Sequence, residues 1–168
     1  MKNLIPYFIE QKHLNNESHG YLRAYTMFVD LSGFTAITEA LMREGSSGAE
    51  RLSNILNEIF TPLVNLVYAK SGFIPYFAGD AFTAIFPEDK MKDAEDLVET
   101  AFLACELFSH RKFEFEQFTI GVKVGLSFGD VEWGITGRKK KAFYFKGESI
   151  ESCAYGQNEA DNKDVIVD

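Results

Sequence analysis

Three observations in this 168-residue chain predict an α+β fold, an antiparallel-rich central sheet with helices packed on it. Two runs rich in aromatic and β-branched residues meet at Gly79-Asp80, which reads as a tight hairpin between neighbouring strands. Other stretches carry apolar residues three and four apart, the spacing of a helix that buries one face. Past a short leading helix, the two kinds of segment follow the order βααββαββαβ, which folds most simply as an antiparallel-rich sheet with helices laid on one face.

Taken in order, Leu4, Ile5, Phe8 and Ile9 predict a short amphipathic helix over residues 3–12, followed by a polar linker from Asn15 to Gly20. Residues 1–21 thus form a lead, and residues 22–168 the main unit. Leu22 to Val29 reads as a central strand buried on both sides. A helix is predicted from Ser32 to Met42, capped by Ser32, with free N–H groups in its first turn. Gly45-Ser46-Ser47-Gly48 breaks the chain, and Leu52, Ile55, Leu56, Ile59, Leu63, Val64 and Val67 mark an amphipathic helix to about Lys70. Pro62 should kink or split that helix, because it removes a backbone donor. Strands Phe73 to Tyr76 and Ala81 to Phe86 flank Gly79-Asp80, and Pro87 terminates the second.

Asp93 to Ser109 carries the stripe Ala94, Leu97, Val98, Ala101, Phe102, Cys105 and Phe108, so a third main helix is predicted with its aromatics in the core. Phe118 to Ser127 and Val131 to Thr136 read as a hairpin turning at Gly129-Asp130. Arg138 to Lys141 form a basic turn, read as a solvated face and not as a phosphate site. A strand from Ala142 to Lys146, a helix from Ser149 to Asn158 and a strand at Val165-Ile166-Val167 complete the pattern.

Composition narrows the function. The length fits one domain, and 46% hydrophobic with 14% aromatic residues suffices for a core. A net charge of −8 argues against a general nucleic-acid binder, which neutralises phosphates with Lys and Arg. Cys105 and Cys153 stand far apart without metal-ligand spacing, which suits a reducing cytoplasmic setting. No apolar stretch approaches the ~20 residues that cross a bilayer. Glu10, Lys12 and His13 interrupt any signal-peptide pattern, so a soluble piece with no membrane span is expected.

The chemistry points to Asp30 and Asp80, each of which ends an apolar run at a turn. A lone Asp after a strand usually caps local backbone. Two carboxylates at the mouths of buried strands also suit a hard cation, because Mg²⁺ held against phosphate oxygens uses only one or two of them.

At these residues the chain resembles the class III nucleotidyl cyclases, the adenylyl and guanylyl cyclase catalytic domains. Phe28-Val29-Asp30-Leu31-Ser32-Gly33-Phe34-Thr35 and Gly79-Asp80 are similar to that family's two metal-binding phrases. The run from Lys123 to Gly137 keeps the family's glycine spacing, and Phe143 to Ile150 resembles its last motif in outline. The resemblance covers roughly residues 22 to 168 and implies a ferredoxin-like class III cyclase fold. It also implies that the chain stops before a further strand or hairpin usual in the family, and that a lead like residues 1–21 opens a longer protein.

By that resemblance, Asp30 and Asp80 bridge two Mg²⁺ or Mn²⁺ ions, the Leu31 carbonyl adds a ligand, and Ser32, Gly33, Phe34 and Thr35 offer N–H groups to the outer phosphates of a nucleoside triphosphate. Lys123 matches a basic residue that contacts the triphosphate, and a strand lysine facing water is its other reading. Family members place Asn and Arg on the helix after the last glycine, where this chain has Glu151 and Tyr155. A carboxylate there repels phosphate, and Tyr lacks the charge and forked donors of guanidinium. The two base-reading positions are Tyr76 and Tyr144, and the basic residues that receive bicarbonate in some soluble cyclases are unmatched at Tyr76 and Ala154.

These departures imply the metal-donating half of an asymmetric pair, like the first domain of soluble adenylyl cyclases. Such a chain makes cyclic AMP and pyrophosphate from ATP, the substrate that the resemblance favours over GTP, only beside a complementary cyclase domain in cis or trans. Alone it should be inactive or nearly so. A catalytically silent module for nucleotide sensing, regulation or dimerisation is the alternative.

Overall fold

The computed structural model describes residues 5–109, 120–161 and 164–168, with the side chains of residues 108 and 109 left aside. The predicted placements of Leu4, of Phe118 and of the Phe108 side chain lie outside the described residues. The element order is α1 (Tyr7–Leu14), β1 (His19–Ser32), α2 (Phe34–Met42), α3 (Ser46–Ala69), β2 (Phe73–Ala78) and β3 (Ala81–Pro87). It continues through α4 (Ala94–Ser109), β4 (Gly121–Thr136), β5 (Ala142–Lys146), α5 (Glu148–Glu159) and β6 (Val165–Val167).

The strands form one sheet in the order β2-β3-β1-β4-β5, antiparallel throughout, with β6 added parallel to β4. Alternation along β1 divides the molecule. Met27, Val29 and Leu31 face a core built with Ile37 and Leu41 of α2, Ile55, Ile59, Leu63 and Val67 of α3, and Leu97, Ala101 and Cys105 of α4. Ala24 faces a second core with Ile9 of α1, Ile150 of α5 and Phe73, Ile85, Trp133 and Phe145 of the sheet. Helices therefore cover both faces, not the single face expected, and that double cover is what buries β1.

The lead helix α1 is part of this packing: Ile9 is buried, and Phe8 stacks on Phe73 with ring centroids 5.3 Å apart. The expected linker is short, because β1 already begins at His19. Asp93 precedes α4 and accepts the Asp96 N–H at 2.9 Å, a side-chain cap on the helix start. Cys105 and Cys153 are both buried, and burial pushes each thiol up to about 11.

Four further expectations change. Gly129-Asp130 does not turn: β4 runs unbroken from Gly121 to Thr136, because a 14-residue β1 pairs with it from His19↔Gly134 to Ser32↔Gly121. The reversal comes later, at the positive-φ Gly137 before β5. Ser32 ends β1, and Gly33 in the left-handed region is the N-cap of α2. Helix α3 begins at Ser46 and is not split by Pro62. The carbonyl that Pro62 deprives of a donor belongs to Glu58, which is exposed, so water can satisfy it. Finally, Phe102 of α4 is 52% exposed and not a core residue.

Candidate functional site

Strand pairing assembles the site at one end of the sheet. Asp30 lies directly opposite Ala81 of β3 and directly opposite Lys123 of β4. Asp80 immediately precedes Ala81, in a two-residue turn whose Gly79 has φ +66°. Three residues far apart in sequence, two acidic and one basic, thus become lateral neighbours.

The β1–β3 ladder stops at Asp30↔Ala81, so beyond it β1 is paired on the β4 side alone. Leu31 and Ser32 follow, then Gly33 turns the chain into α2. The first turn of α2 holds no acidic residue, so the positive end of its dipole follows directly on Asp30, Leu31 and Ser32. Phe34 is half-buried against the first core, while Gly33 and Thr35 are exposed.

Asp30 is half-buried, and its carboxyl lies above the ordinary carboxylate value. Burial is the largest cause and the charge of Asp80 the next. Lys123, the Leu31 backbone N–H and Gln157 all pull the other way. Gln157 Nε2 donates to Asp30 Oδ2 at 2.9 Å from helix α5. Two carboxylates at neighbouring strand ends, one of them held by an amide donor, form a donor set that fits a hard cation. Among the described residues no cluster of three or more His, Cys, Asp or Glu forms, and a hard cation held against phosphate needs only one or two carboxylates.

The remaining sequence-predicted residues stand apart. Tyr76 is on β2 and Tyr144 on β5, the opposite ends of the five-strand path, with β3, β1 and β4 between them. Tyr76 is 43% exposed, and Tyr144 donates its hydroxyl to Glu132 Oε1 at 2.8 Å. On α5, Ser149, Ile150, Cys153 and Gln157 form the buried stripe, so Glu151 and Tyr155, one turn apart, share the outer face. Tyr155 is 72% exposed. Ala154 is half-buried on the same helix.

Paired carboxylates beside a helix N-terminus and a lysine can gather polyphosphate and cation together. Residues 17–167 match the family model described as the adenylate and guanylate cyclase catalytic domain. The chain belongs to this family. It is 33% identical over 154 residues to adenylate cyclase type 10 of Homo sapiens, covering 88% of this chain and 9% of that protein. With the Rattus norvegicus protein of the same name it shares 33% over 148 residues, again 9% of that protein. The chain therefore spans under a tenth of the length of these curated relatives.

The cyclase fold is shared with solved structures at low identity. The adenylyl cyclase CyaB from P. aeruginosa superposes with a TM-score of 0.72 at 16% identity, over 89% of this chain and 78% of that one. The guanylate cyclase domain of RhGC from Catenaria anguillulae, solved in complex with GTP, gives 0.71 at 16%, over 88% and 79%. Among the described residues no helix is long and apolar enough to cross a membrane.

Sequence reading missed Gln157. It lies two residues past Tyr155 on α5, and the stripe Ile150, Cys153, Gln157 at spacings of three and four was the available indication that it faces inward.

Proposed function

We propose that this cyclase domain is the metal-donating half of an adenylyl cyclase, converting ATP to cyclic AMP and pyrophosphate beside a complementary domain. The observation that carries the reading is the lateral grouping of Asp30, Asp80 and Lys123 at the start of α2. In it, Asp30, Asp80 and the Leu31 carbonyl hold two Mg²⁺ or Mn²⁺ ions. When bound, these ions supply the positive charge that activates the ribose 3′-hydroxyl and neutralises the α-phosphate. Ser32, Gly33, Phe34 and Thr35 bind the outer phosphates through backbone N–H groups, and Lys123 adds charge from the next strand.

Residues 22–168 form the cyclase unit in this reading, with 1–21 as a lead seated on the sheet through Phe8 and Ile9. ATP is favoured over GTP by the adenylate cyclase relatives at 33% identity. The exposed Glu151 and Tyr155 provide neither a phosphate-stabilising cation nor an amide that orients ribose, so the partner supplies both. The same two residues favour the second reading, a silent module that retains nucleotide and cation without turnover.

The test measures cyclic-nucleotide formation from ATP and GTP with Mg²⁺ and with Mn²⁺. The chain is assayed alone and with a cyclase domain that carries Asn and Arg on its corresponding helix, each with and without Asp30→Ala. The expected result is cyclic AMP only in the mixture and a loss of at least about 10²-fold with Asp30→Ala, the scale of removing an electrostatic anchor of a reaction. Asp30-dependent turnover by the chain alone defeats the half-site reading. Silence in every mixture, with nucleotide still bound, favours the module.

A further inference from the structure

We propose that Gln157 is a positioning residue for the Asp30 carboxylate, carried into the site by α5. The inference rests on reading Asp30 as a cation ligand. Gln157 is 6% exposed, and its amide Nε2 lies 2.9 Å from Asp30 Oδ2. An amide nitrogen facing a carboxylate donates, which assigns the orientation of the side chain. The neighbours of Gln157 on the buried stripe, Ile150 and Cys153, are apolar or weakly polar. An amide on that stripe is costly to bury unless it is bonded, and its bond goes to this carboxylate.

The backbone beneath Gln157 is seated too. A Cβ on Gly125 of β4 would lie 1.9 Å from the Cys153 carbonyl oxygen and 2.6 Å from the Gln157 nitrogen. Helix α5 thus rests directly on the strand that carries Lys123, with no side chain between. Gln157 cannot ride outward without the whole helix, so its amide fixes the plane of Asp30. Carboxylates that ligate cations are held in this way by outer donors, whose removal typically weakens binding by about 10–100-fold. The arrangement also ties the helix bearing Glu151 and Tyr155 to the carboxylate.

The test titrates Mn²⁺ into the metal-free chain by electron paramagnetic resonance, with thermal unfolding in parallel, for wild type, Gln157→Met and Asp30→Asn. Gln157→Met keeps length and packing while removing the donor. It should weaken Mn²⁺ by about 10–100-fold with the unfolding midpoint nearly unmoved, and Asp30→Asn should abolish binding. Wild-type affinity in Gln157→Met beside loss in Asp30→Asn overturns the inference. Binding unaffected by Asp30→Asn, or absent from the wild-type chain, overturns the cation reading itself. A second measurement needs no variant fold: the Gln157 side-chain amide resonance of the wild-type chain should move as Mg²⁺ is added. A stationary resonance with Mg²⁺ bound also overturns the inference.

Discussion

At Asp30, two forces oppose three. Burial and the Asp80 charge disfavour the ionised carboxyl, while Lys123, the Leu31 N–H and Gln157 support it, and the net is a raised value. The sign of the stability effect follows. A carboxyl raised in the folded state makes the ionised form a burden above its folded value, and the burden vanishes as pH falls below its unfolded value. Asp30→Asn, whose Oδ1 can still accept from Gln157, should therefore unfold at a higher temperature than wild type in chelator at pH 7. The gap should close as pH falls below the ordinary carboxylate range, and a variant no more stable than wild type at neutral pH refutes this balance. Added Mn²⁺ should narrow the gap from the other side by stabilising wild type alone. Asp30 and Asp80 were legible as candidates because each interrupts an apolar run, which is a local pattern. Gln157 was not, because its role comes from the seating of α5 on Gly125, and no local pattern records which strand a helix rests on.

Among the elements, the contact of α5 with β4 has the narrowest tolerance. Gly125→Ala would set a methyl group against the Cys153 carbonyl, and neither a strand backbone nor a helix backbone can yield locally. Overpacking of this kind costs about 1–3 kcal/mol, several degrees of unfolding temperature in a chain of this size. If α5 moves out to relieve it, the Gln157 bond to Asp30 breaks as well, so Mn²⁺ affinity should fall together with stability. Gly125→Ala at wild-type stability in thermal unfolding would show that the helix is not seated as described. Most elements were legible from periodicity, since α3 and α4 each carry long apolar stripes. Two of the failures share one cause. Gly129-Asp130 has the composition of a hairpin turn, yet the length of β1 extends the pairing past it. Ser32 has the chemistry of a helix cap, yet its pairing with Gly121 keeps it in the strand and hands the cap to Gly33. In both cases a partner strand overrides local propensity.

For the molecule as a whole, the two faces of the sheet decide what pairing can achieve. Asp30 and α5 lie on the same face, so the carboxylate proposed to bind metal and the outer residues Glu151 and Tyr155 belong to one side of one domain. In the proposed reading each active centre takes carboxylates from one domain and Asn and Arg from the other. That division can be tested with two copies of this chain. Glu151→Asn with Tyr155→Arg changes only exposed positions, so the fold should tolerate it within about 0.5 kcal/mol per site. Joining these two changes to Asp30→Ala gives a copy that has the partner-side residues and lacks a metal carboxylate. That triple variant should be silent alone for want of Asp30, and wild type silent alone for want of the Arg and Asn. Mixed, the two copies can complete one centre between them, so cyclic AMP should appear in the mixture and in neither component. It should rise with the concentration of both, as expected for a centre formed by association. Tyr76 and Tyr144 remain in both copies, so the restored turnover should discriminate poorly between ATP and GTP. A mixture as silent as its components, with association demonstrated by ultracentrifugation, would sink the division of labour and leave the silent module as the better account.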